Sequence, residues 1–173
     1  MHFQSFDEIT SQTPIVLLDR DNTINIDKGY TYKIEEFKFL EQAFELLDFL
    51  SINKLPVVIV SNQSGINLGK FGFTECINFN AHIASELSKL NIELLSAVFC
   101  PHSPQENCYC RKPKTKMVEL VSKIYNCPTK SMLFVGDAES DELMAVAAKI
   151  DFININSRNL NFQLNDWLLN VAK

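Results

Sequence analysis

The chain has 173 residues, of which 46% are hydrophobic and 21% are charged, and its formal net charge at pH 7 is -5. These ordinary values exclude a disordered or fibrous chain, and the length suits one domain spanning residues 1–173. The acidic balance argues against a general nucleic-acid binder, but it allows an anionic small substrate, because a few local cations can override the global sign.

The N-terminal sequence MHFQSFDEITSQTP has neither a basic segment nor an apolar run, and no window of the sequence is long and apolar enough to cross a bilayer. The chain has five cysteines, three of them too close together for an ordinary disulfide framework. We therefore expect a cytoplasmic protein with reduced thiols and no membrane partner. No heptad pattern calls for a partner chain, so we expect a monomer, and we expect His2 to lie in a mobile N-terminus.

Short apolar runs alternate with helical patterns, which is typical of β-α units that build a mostly parallel sheet. In the helix around residues 143–150, the spacing of Leu143, Val146, Ala147 and Ile150 predicts that these side chains face the core. The predicted elements, in chain order, are strand 15–18, a helix around 43–50, strand 57–60, helix 73–90, strand 97–99, a helix around 117–124, strand 132–135, the helix around 143–150, strand 152–155, and a short C-terminal helix with Trp167 and Leu168.

Polar segments follow the first four predicted strands: LLDRDNTIN, SNQSGI, CPHSPQENCYCRKP and VGDAESDE. Ligands of parallel sheets bind beyond the carboxyl ends of the strands, so these segments should meet. Side chains two apart in an extended segment share a side, so Asp19 and Asp21 can converge while Arg20 points away. A lone D-x-D is more often a solvated turn, but four such segments at four strand ends indicate a site.

The residue types in these segments suggest phosphoryl transfer. One carboxylate can act as nucleophile and a second as general acid and base. Because a carboxylate and a phosphate dianion repel each other, the site needs a divalent cation and a fixed positive side chain. Asp19 and Asp137 would form an oxygen-only Mg²⁺ site, and Lys112 would supply the ammonium. The hydroxyl and backbone N–H of Ser61 could hold the phosphoryl oxygens.

The third segment also carries a metal-binding pattern, C-x-H-x5-C-x-C, formed by Cys100, His102, Cys108 and Cys110. Three thiolates and an imidazole make a closed tetrahedral set for a structural Zn²⁺. A redox pair would need C-x-x-C spacing, and buried cysteines rarely cluster with histidine in a proline-rich loop. Because Lys112 lies two residues after Cys110, bound zinc would aim its ammonium at the site.

The order DRDNT, SNQSG, RKP and GDAESD resembles the four motifs of the haloacid dehalogenase superfamily, aspartyl-phosphate hydrolases on a Rossmann-like fold. CPHSPQENCYCRKP, NIDKGYTYKIEEFKFL and SNQSGI are similar to the D-glycero-D-manno-heptose 1,7-bisphosphate 7-phosphatases and their relatives, the histidinol-phosphate phosphatases. The resemblance covers about residues 15–150. It implies an α/β fold with a Rossmann-like, doubly wound, mostly parallel sheet and a zinc-binding loop. Too few residues lie between the motifs for a cap domain.

Carried onto this sequence, the resemblance implies that Asp19 is the nucleophile and Asp21 the general acid and base. Mg²⁺ would be held by the carboxylates of Asp19 and Asp137 and the main-chain carbonyl of Asp21. Asp141 would lie outside the direct ligands of the metal and would orient Lys112 or a metal-bound water.

The resemblance further implies that Ser61 and Lys112 bind the transferring phosphoryl group, that Asn62 and Arg111 lie within reach of the substrate, and that zinc occupies the cysteine loop. The sequence departs from the family pattern at Asn22, where glycine is usual, but asparagine tolerates left-handed backbone. It departs again at 114–116, where Lys-Thr-Lys follows Lys112 and Pro113, which affects the local loop shape.

Three functions are weighed. The first is hydrolysis of the 7-phosphate of heptose 1,7-bisphosphate for lipopolysaccharide or related glycans. Candidate partners of the second phosphate are Arg111, Lys28, Lys33 and Lys70, although loop lysines are more often simply solvated. The second is histidinol-phosphate hydrolysis, which needs a carboxylate such as Glu35, Glu36 or Glu106 beside the imidazole. The third is a zinc-stabilised binding module without turnover, against which the intact Asp19 and Lys112 argue.

Overall fold

The computed structural model describes residues 1–6 and 14–171. The elements within these ranges are β1 (His2–Ser5), β2 (Ile15–Leu18), α1 (Ala43–Asn53), β3 (Val57–Asn62), α2 (Phe73–Lys89), β4 (Leu94–Cys100), α3 (Lys116–Tyr125), β5 (Met132–Gly136), α4 (Glu139–Ala148), β6 (Asp151–Asn154) and α5 (Leu160–Val171). Short 3-10 turns occur at Ile34–Glu36, Pro104–Glu106 and Thr129–Ser131.

The strands form one sheet in the order β1-β4-β3-β2-β5-β6. Every neighbouring pair is parallel except β1 with β4. The chain moves from β2 outward to β3 and β4, and then crosses to the other side of β2 to form β5 and β6. The side on which successive strands are added therefore changes at β2. The carboxyl ends of β2, β3, β4 and β5 share one edge of the sheet, where ligands of such sheets bind.

Strand alternation divides the core into two layers, one on each face of the sheet. In β2, Val16 and Leu18 pack with α1, α2 and α5, whereas Ile15 and Leu17 pack with α3 and α4. All four side chains are fully buried, and each contributes about 1.5–3 kcal/mol of apolar burial. This α/β/α arrangement confirms the predicted mostly parallel α/β fold and holds the edge of the site rigidly.

The predicted helix 73–90 corresponds to α2, and strand 152–155 corresponds to β6 with a shift of one residue. The predicted inner face of α4 is wrong, because Leu143 and Val146 are 50% and 69% exposed, whereas the predicted burial of Ile150, just after the helix, is confirmed. The buried positions are Asp141, Met144 and Ala145. The apolar pattern pointed to the wrong side because a buried carboxylate lies on the inner face.

The expectation that His2 lies in a mobile N-terminus is also wrong. Residues His2–Ser5 form β1, which pairs antiparallel with β4 and covers that edge of the sheet. The ring of His2 packs against Phe99 with centroids 4.9 Å apart, and against Phe73 at 5.8 Å. The strand has only four residues, which is too short for a clear alternation pattern.

Residues 22–40, where a cap could have been inserted, form two isolated bridges and the 3-10 turn at Ile34–Glu36. Between β3 and β4 the chain forms only a turn and α2. The edge of the sheet carrying the polar segments is therefore bordered by loops. Among the described helices, none combines the length and apolar character that crossing a bilayer requires.

Candidate active site

The polar segments meet at the carboxyl edge of the sheet. Asp19 follows β2 directly, Ser61 and Asn62 end β3, and Asp137 follows β5. Because β2 pairs with both β3 and β5, these residues come from three adjacent strands. Lys112 reaches the same place from the loop after β4.

Lys112 is buried, and its ammonium has three oxygen partners. The Nζ atom lies 2.9 Å from Asp19 Oδ1 and 2.7 Å from Asp141 Oδ1, and it donates to the carbonyl of Val60 at 3.1 Å. Burial alone would lower the pKa of Lys112, but the carboxylates of Asp19 and Asp141 outweigh it and raise the pKa. Lys112 is therefore a fixed cation at neutral pH.

Asp19 is 9% exposed and lies beside this cation. Its Oδ1 also accepts the backbone N–H of Arg20 at 2.8 Å. Burial raises the pKa of Asp19, and the neighbouring Lys112 opposes that rise while Asp141 and Asp21 add to it. Fixed by Lys112 and by a main-chain donor, this carboxylate is well oriented for attack on an anionic electrophile.

Asp141 is completely buried on α4 and is engaged through both carboxylate oxygens. Oδ1 pairs with Lys112, and Oδ2 accepts the N–H of Ala138 at 3.2 Å. The close approach of Asp141 to β5 requires glycine at position 136, because a β-carbon there would lie 2.3 Å from Asp141 Oδ2. These contacts are those needed to orient Lys112.

A carboxylate cluster completes this side of the site. One oxygen each from Asp19, Asp137 and Asp141 can be chosen so that all three lie within 4.8 Å of one another, a spacing that could hold a metal ion. Burial raises the pKa of Asp137, and the nearby Asp19 carboxylate adds to the rise. Thr23 Oγ1 lies 3.5 Å from Asp137 Oδ1. A divalent cation would relieve the repulsion between these carboxylates.

Asp21 lies in a tight turn, and its carboxylate is held by three side chains. Arg20 donates from Nε to Oδ1 at 3.0 Å and from Nη2 to Oδ2 at 2.8 Å. Asn25 donates to Oδ1 at 3.1 Å, and Gln63 donates to Oδ2 at 2.9 Å. The expectation that Arg20 points away is therefore wrong. Strand alternation ends at Leu18, and the turn brings Arg20 and Asp21 together.

Gln63 was not identified from the sequence, although it lies within SNQSGI. Its side-chain Nε2 donates both to Asp21 and to Ser61 Oγ, each at 2.9 Å. Ser61 therefore accepts from Gln63 and keeps its own O–H to donate to a ligand oxygen. Gln63 comes two residues after Ser61, and this spacing was the available signal, because such side chains share a face of extended backbone.

Asn62 connects β3 to the Cys/His loop, which comprises residues 100–114. Its Oδ1 accepts the N–H of Lys112 at 3.0 Å, and its Nδ2 donates to the Lys112 carbonyl at 3.3 Å. Both polar atoms of Asn62 are therefore used by the main chain of Lys112. Arg111 donates from Nη1 to the carbonyl of His102 at 3.3 Å, so its guanidinium is tied to the same loop.

The four predicted zinc ligands form a compact cluster. Cys100 Sγ lies 3.4 Å from His102 Nδ1 and 3.5 Å from Cys108 Sγ. Cys110 Sγ lies 3.3 Å from Cys100 Sγ, 3.4 Å from His102 Nδ1 and 3.7 Å from Cys108 Sγ. A tetrahedron with Zn–S bonds of about 2.3 Å has sulfur–sulfur edges of about 3.8 Å. The cluster has nearly the size that zinc requires, and no disulfide joins its thiols.

Electrostatics around the thiols differ from one cysteine to another. Burial raises the pKa of Cys100. Burial alone would also raise the pKa of Cys108, but the N–H groups of Cys110 and Arg111 outweigh it and lower the pKa. These two donors would stabilise a thiolate at Cys108.

Two further contacts brace the Cys/His loop. Asn67 Nδ2 donates to both carboxylate oxygens of Glu106, at 2.8 Å and 3.1 Å. Lys114 donates to the side chain and carbonyl of Asn107 at 2.9 Å and 3.3 Å, and also to the carbonyl of Cys108. Lys114 stands where the sequence departs from the family pattern, and it closes the loop on itself. Asn22, the other departure, adopts a left-handed φ of 58°.

Known phosphatases are similar to this chain in sequence. A family model described as "Polynucleotide kinase 3 phosphatase" matches residues 14–166. The D-glycero-beta-D-manno-heptose-1,7-bisphosphate 7-phosphatase of Helicobacter pylori strain 26695 is 37% identical over 136 residues, covering 78% of this chain and 79% of that protein. The corresponding D-glycero-alpha-D-manno enzyme of Campylobacter jejuni is 35% identical over 139 residues, with 80% of each chain covered.

Solved structures support the same fold. The D,D-heptose 1,7-bisphosphate phosphatase of B. bronchiseptica, complexed with magnesium and phosphate, superposes with a TM-score of 0.75 and 21% identity over 90% of this chain and 98% of that one. A HAD-like phosphatase from Mesorhizobium loti reaches a TM-score of 0.84, also at 21% identity, covering 98% and 93% of the two chains. By the extent and identity of the sequence matches, the chain belongs to the D-glycero-D-manno-heptose 1,7-bisphosphate 7-phosphatase family of the haloacid dehalogenase superfamily.

Proposed function

We propose that this phosphatase removes the 7-phosphate of D-glycero-D-manno-heptose 1,7-bisphosphate through an aspartyl-phosphate intermediate. The observation that carries the proposal is the buried Lys112 ammonium, held between Asp19 and Asp141 at the edge of the sheet. Removing a cation and two carboxylates from water costs free energy, so a buried cluster of this kind favours a functional role. Here the cation lies against the proposed nucleophile.

The residues support two chemical steps. Asp19 attacks phosphorus with one carboxylate oxygen, the bond between phosphorus and the bridging sugar oxygen breaks, and Asp21 gives that oxygen a proton. In the second step Asp21 takes a proton from a water molecule that attacks the aspartyl phosphate. Inorganic phosphate leaves, and the Asp19 carboxylate is restored. Lys112 and the Ser61 hydroxyl stabilise the phosphoryl oxygens in both steps.

Magnesium fits the carboxylate cluster, because hard oxygen ligands suit Mg²⁺. We assign it to Asp19, Asp137 and the main-chain carbonyl of Asp21. Asp141 is committed to Lys112 and Ala138 and is left to position the lysine. The ion would neutralise charge on the transferring phosphoryl group.

Zinc fits the Cys/His cluster, in which five of the six donor pairs are 3.3–3.7 Å apart and all donors lie within 4.8 Å of one another. With four protein ligands and no open position, its role would be structural. We propose that it fixes the loop that carries Arg111 and Lys112, because irregular backbone otherwise loses conformational entropy when it adopts a single shape.

The heptose bisphosphate is favoured over the alternatives. Curated relatives matching about four fifths of the chain are named for the heptose substrate, and we carry that substrate to this chain as the proposal. The histidinol-phosphate alternative needs a free carboxylate near the entry. Glu106 is engaged by Asn67 and by the N–H of Ser103, and Glu36 lies 3.8 Å from Lys33, which leaves the exposed Glu35 as the candidate for that role. A polynucleotide substrate, which the description of the family model would suggest, is disfavoured by the net charge of -5.

We further propose that the chain acts as one monomeric domain in the cytoplasm. None of the five cysteines, all of which lie in the described ranges, forms a disulfide, which suits a reducing compartment. Light scattering of the purified protein tests the monomer, and a mass near 19.7 kDa is the expected result.

Phosphate release tests the function. The panel contains heptose 1,7-bisphosphate in both anomers, histidinol phosphate, a 3′-phosphorylated oligonucleotide and other sugar phosphates, each with and without Mg²⁺. We expect Mg²⁺-dependent release, highest with one heptose anomer and lowered at least about 1000-fold by Asp19→Asn. A tenfold preference for histidinol phosphate would overturn the substrate, full activity of Asp19→Asn would overturn the nucleophile, and release from no substrate would favour a binding module.

A further inference from the structure

We propose that Arg20 is a positioning residue for the general acid and base Asp21, a role that rests on the phosphatase mechanism proposed above. The guanidinium grips both oxygens of the Asp21 carboxylate, through Nε at 3.0 Å and Nη2 at 2.8 Å. Such a fork fixes both the place and the tilt of a carboxylate, which a single hydrogen bond does not.

Arg20 is 1% exposed, and its surroundings hold it rigidly from several directions. Nη2 also donates to the carbonyl of Thr31 at 3.0 Å, and Nη1 lies 3.5 Å from Asn80 Oδ1. The guanidinium carbon lies 4.9 Å from the centre of the Phe79 ring. Phe79 and Asn80 belong to α2 and Thr31 to the loop after β2, so two separate segments fix the orientation of the fork.

Direct contact of Arg20 with the substrate is disfavoured, because the side chain is buried and all three guanidinium nitrogens already face protein acceptors. The remaining donors to Asp21 come from Asn25, which is also buried, and from Gln63, which is shared with Ser61. Among the described residues, Asp21 therefore accepts hydrogen bonds from the side chains of Arg20, Asn25 and Gln63, of which Arg20 alone is charged. Small errors in the position of a proton-transfer group lower the rate strongly.

The proposal predicts that removing Arg20 slows only the steps in which Asp21 transfers a proton. Arg20→Met should lower steady-state turnover of the best sugar phosphate at least about 100-fold with KM changed by less than about threefold, since general acid–base catalysis contributes about 10²–10⁴ in rate. With p-nitrophenyl phosphate, whose leaving group needs no proton, the first turnover should remain within about threefold of the unaltered enzyme. Water activation still needs Asp21, so nitrophenolate should appear as a burst of about one per site followed by slow release.

A double-mutant cycle separates positioning from general damage. If Arg20 acts through Asp21, Arg20→Met should change turnover by less than about threefold in a background of Asp21→Asn. The proposal would be overturned if Arg20→Met lowered turnover by the same factor with and without Asp21→Asn. It would also be overturned if folded Arg20→Met kept turnover within about threefold of the unaltered enzyme. Arg158→Met removes an exposed arginine as the matched control.

A second variant guards against failure of Arg20→Met to fold. Arg20→Gln removes the charge but leaves an amide donor in the buried place, and it should give the same burst and the same non-additivity once circular dichroism shows a native fold. Should Asp21→Asn impair the enzyme while folded Arg20→Gln does not, the role of Arg20 alone is refuted. Should the unaltered enzyme release no phosphate from any substrate, the proposed function fails with it.

Discussion

Lys112 is the residue on which the site is centred. Nothing in a lone lysine predicts a buried ammonium, and only its place in the third polar segment singled it out. The structure adds the contacts that explain its burial, with Asp19, Asp141 and the Val60 carbonyl as partners. Removing one partner of the pair with Asp141 would leave a buried charge without its counterion, which is strongly destabilising.

Removing this cation should destabilise the protein as well as inactivate it. Lys112→Met leaves the fully buried Asp141 without its counterion, and we expect a loss of about 3–5 kcal/mol in unfolding free energy, measured by urea titration. Adding Asp141→Leu should recover at least about half of that loss, because the unpaired charge is then gone.

The matched control for this experiment is Lys116→Met, which removes an exposed lysine from a pair with Glu119. We expect it to change the unfolding free energy by less than about 0.5 kcal/mol. A loss of under about 1 kcal/mol for Lys112→Met would contradict a fully buried ion pair.

The side-chain positions predicted from the sequence differ from those in the structure at residues whose partners are distant in the chain. The positions of Asp19, Asp137 and Lys112 followed from the polar segments at strand ends. Arg20 did not, because an alternation rule applies only within a strand and β2 ends at Leu18. Its true partners include Asn80, which is 60 positions away, and no local pattern reports such a contact.

At the scale of elements, most strands and helices were predictable because buried parallel strands are continuous apolar runs and helices have a clear period. The inner face of α4 was not, since Asp141 is buried by its partner Lys112 rather than by apolar character. Any rule based on hydrophobicity assigns such a carboxylate to solvent.

The Cys/His loop is the element in which metal and catalysis meet. A zinc-selective chelator, used with Mg²⁺ in excess, should lower turnover at least about tenfold, because the loop would no longer hold Lys112 in place. Thiol titration of the folded, chelated protein should detect Cys100, Cys108 and Cys110, because loss of the metal frees the loop that buries Cys100 and Cys110. Cys76 and Cys127 should react only after denaturation, because they are 0% and 1% exposed. Burial also raises the pKa of Cys76 to about 11.

Lys114→Met provides a variant of the loop outside the proposed metal ligands and catalytic groups. It removes the donor to Asn107 and Cys108, so zinc should be released faster to the chelator while turnover of the zinc-loaded enzyme changes by less than about threefold. Unchanged turnover of demonstrably zinc-free protein would show that zinc does not position Lys112.

At the scale of the whole molecule, β1 forms the edge of the sheet beside β4. It covers β4, whose seven residues are all buried, and an uncovered strand of that kind would be a template for pairing with another chain. The short strand therefore supports the monomeric state that we propose.

Deleting residues 1–5 should lower the melting temperature by about 5–10 °C and cause concentration-dependent self-association, both measurable by calorimetry and light scattering. Gln4→Pro, which keeps the length but removes the ladder donor opposite Ala97, should shift both readouts in the same direction. A truncated protein that stays monomeric with an unchanged melting temperature would contradict this role.

The two links that run from the end of β3 to the Cys/His loop, Asn62 to Lys112 and Asn67 to Glu106, have a practical meaning for engineering. Segment 62–67 and segment 102–112 behave as one interchangeable part. If segment 102–112 is replaced by that of a homologue in order to change the preferred sugar, segment 62–67 should be replaced with it. Otherwise the lysine at position 112 would lose the matching amide at position 62 that binds its main chain.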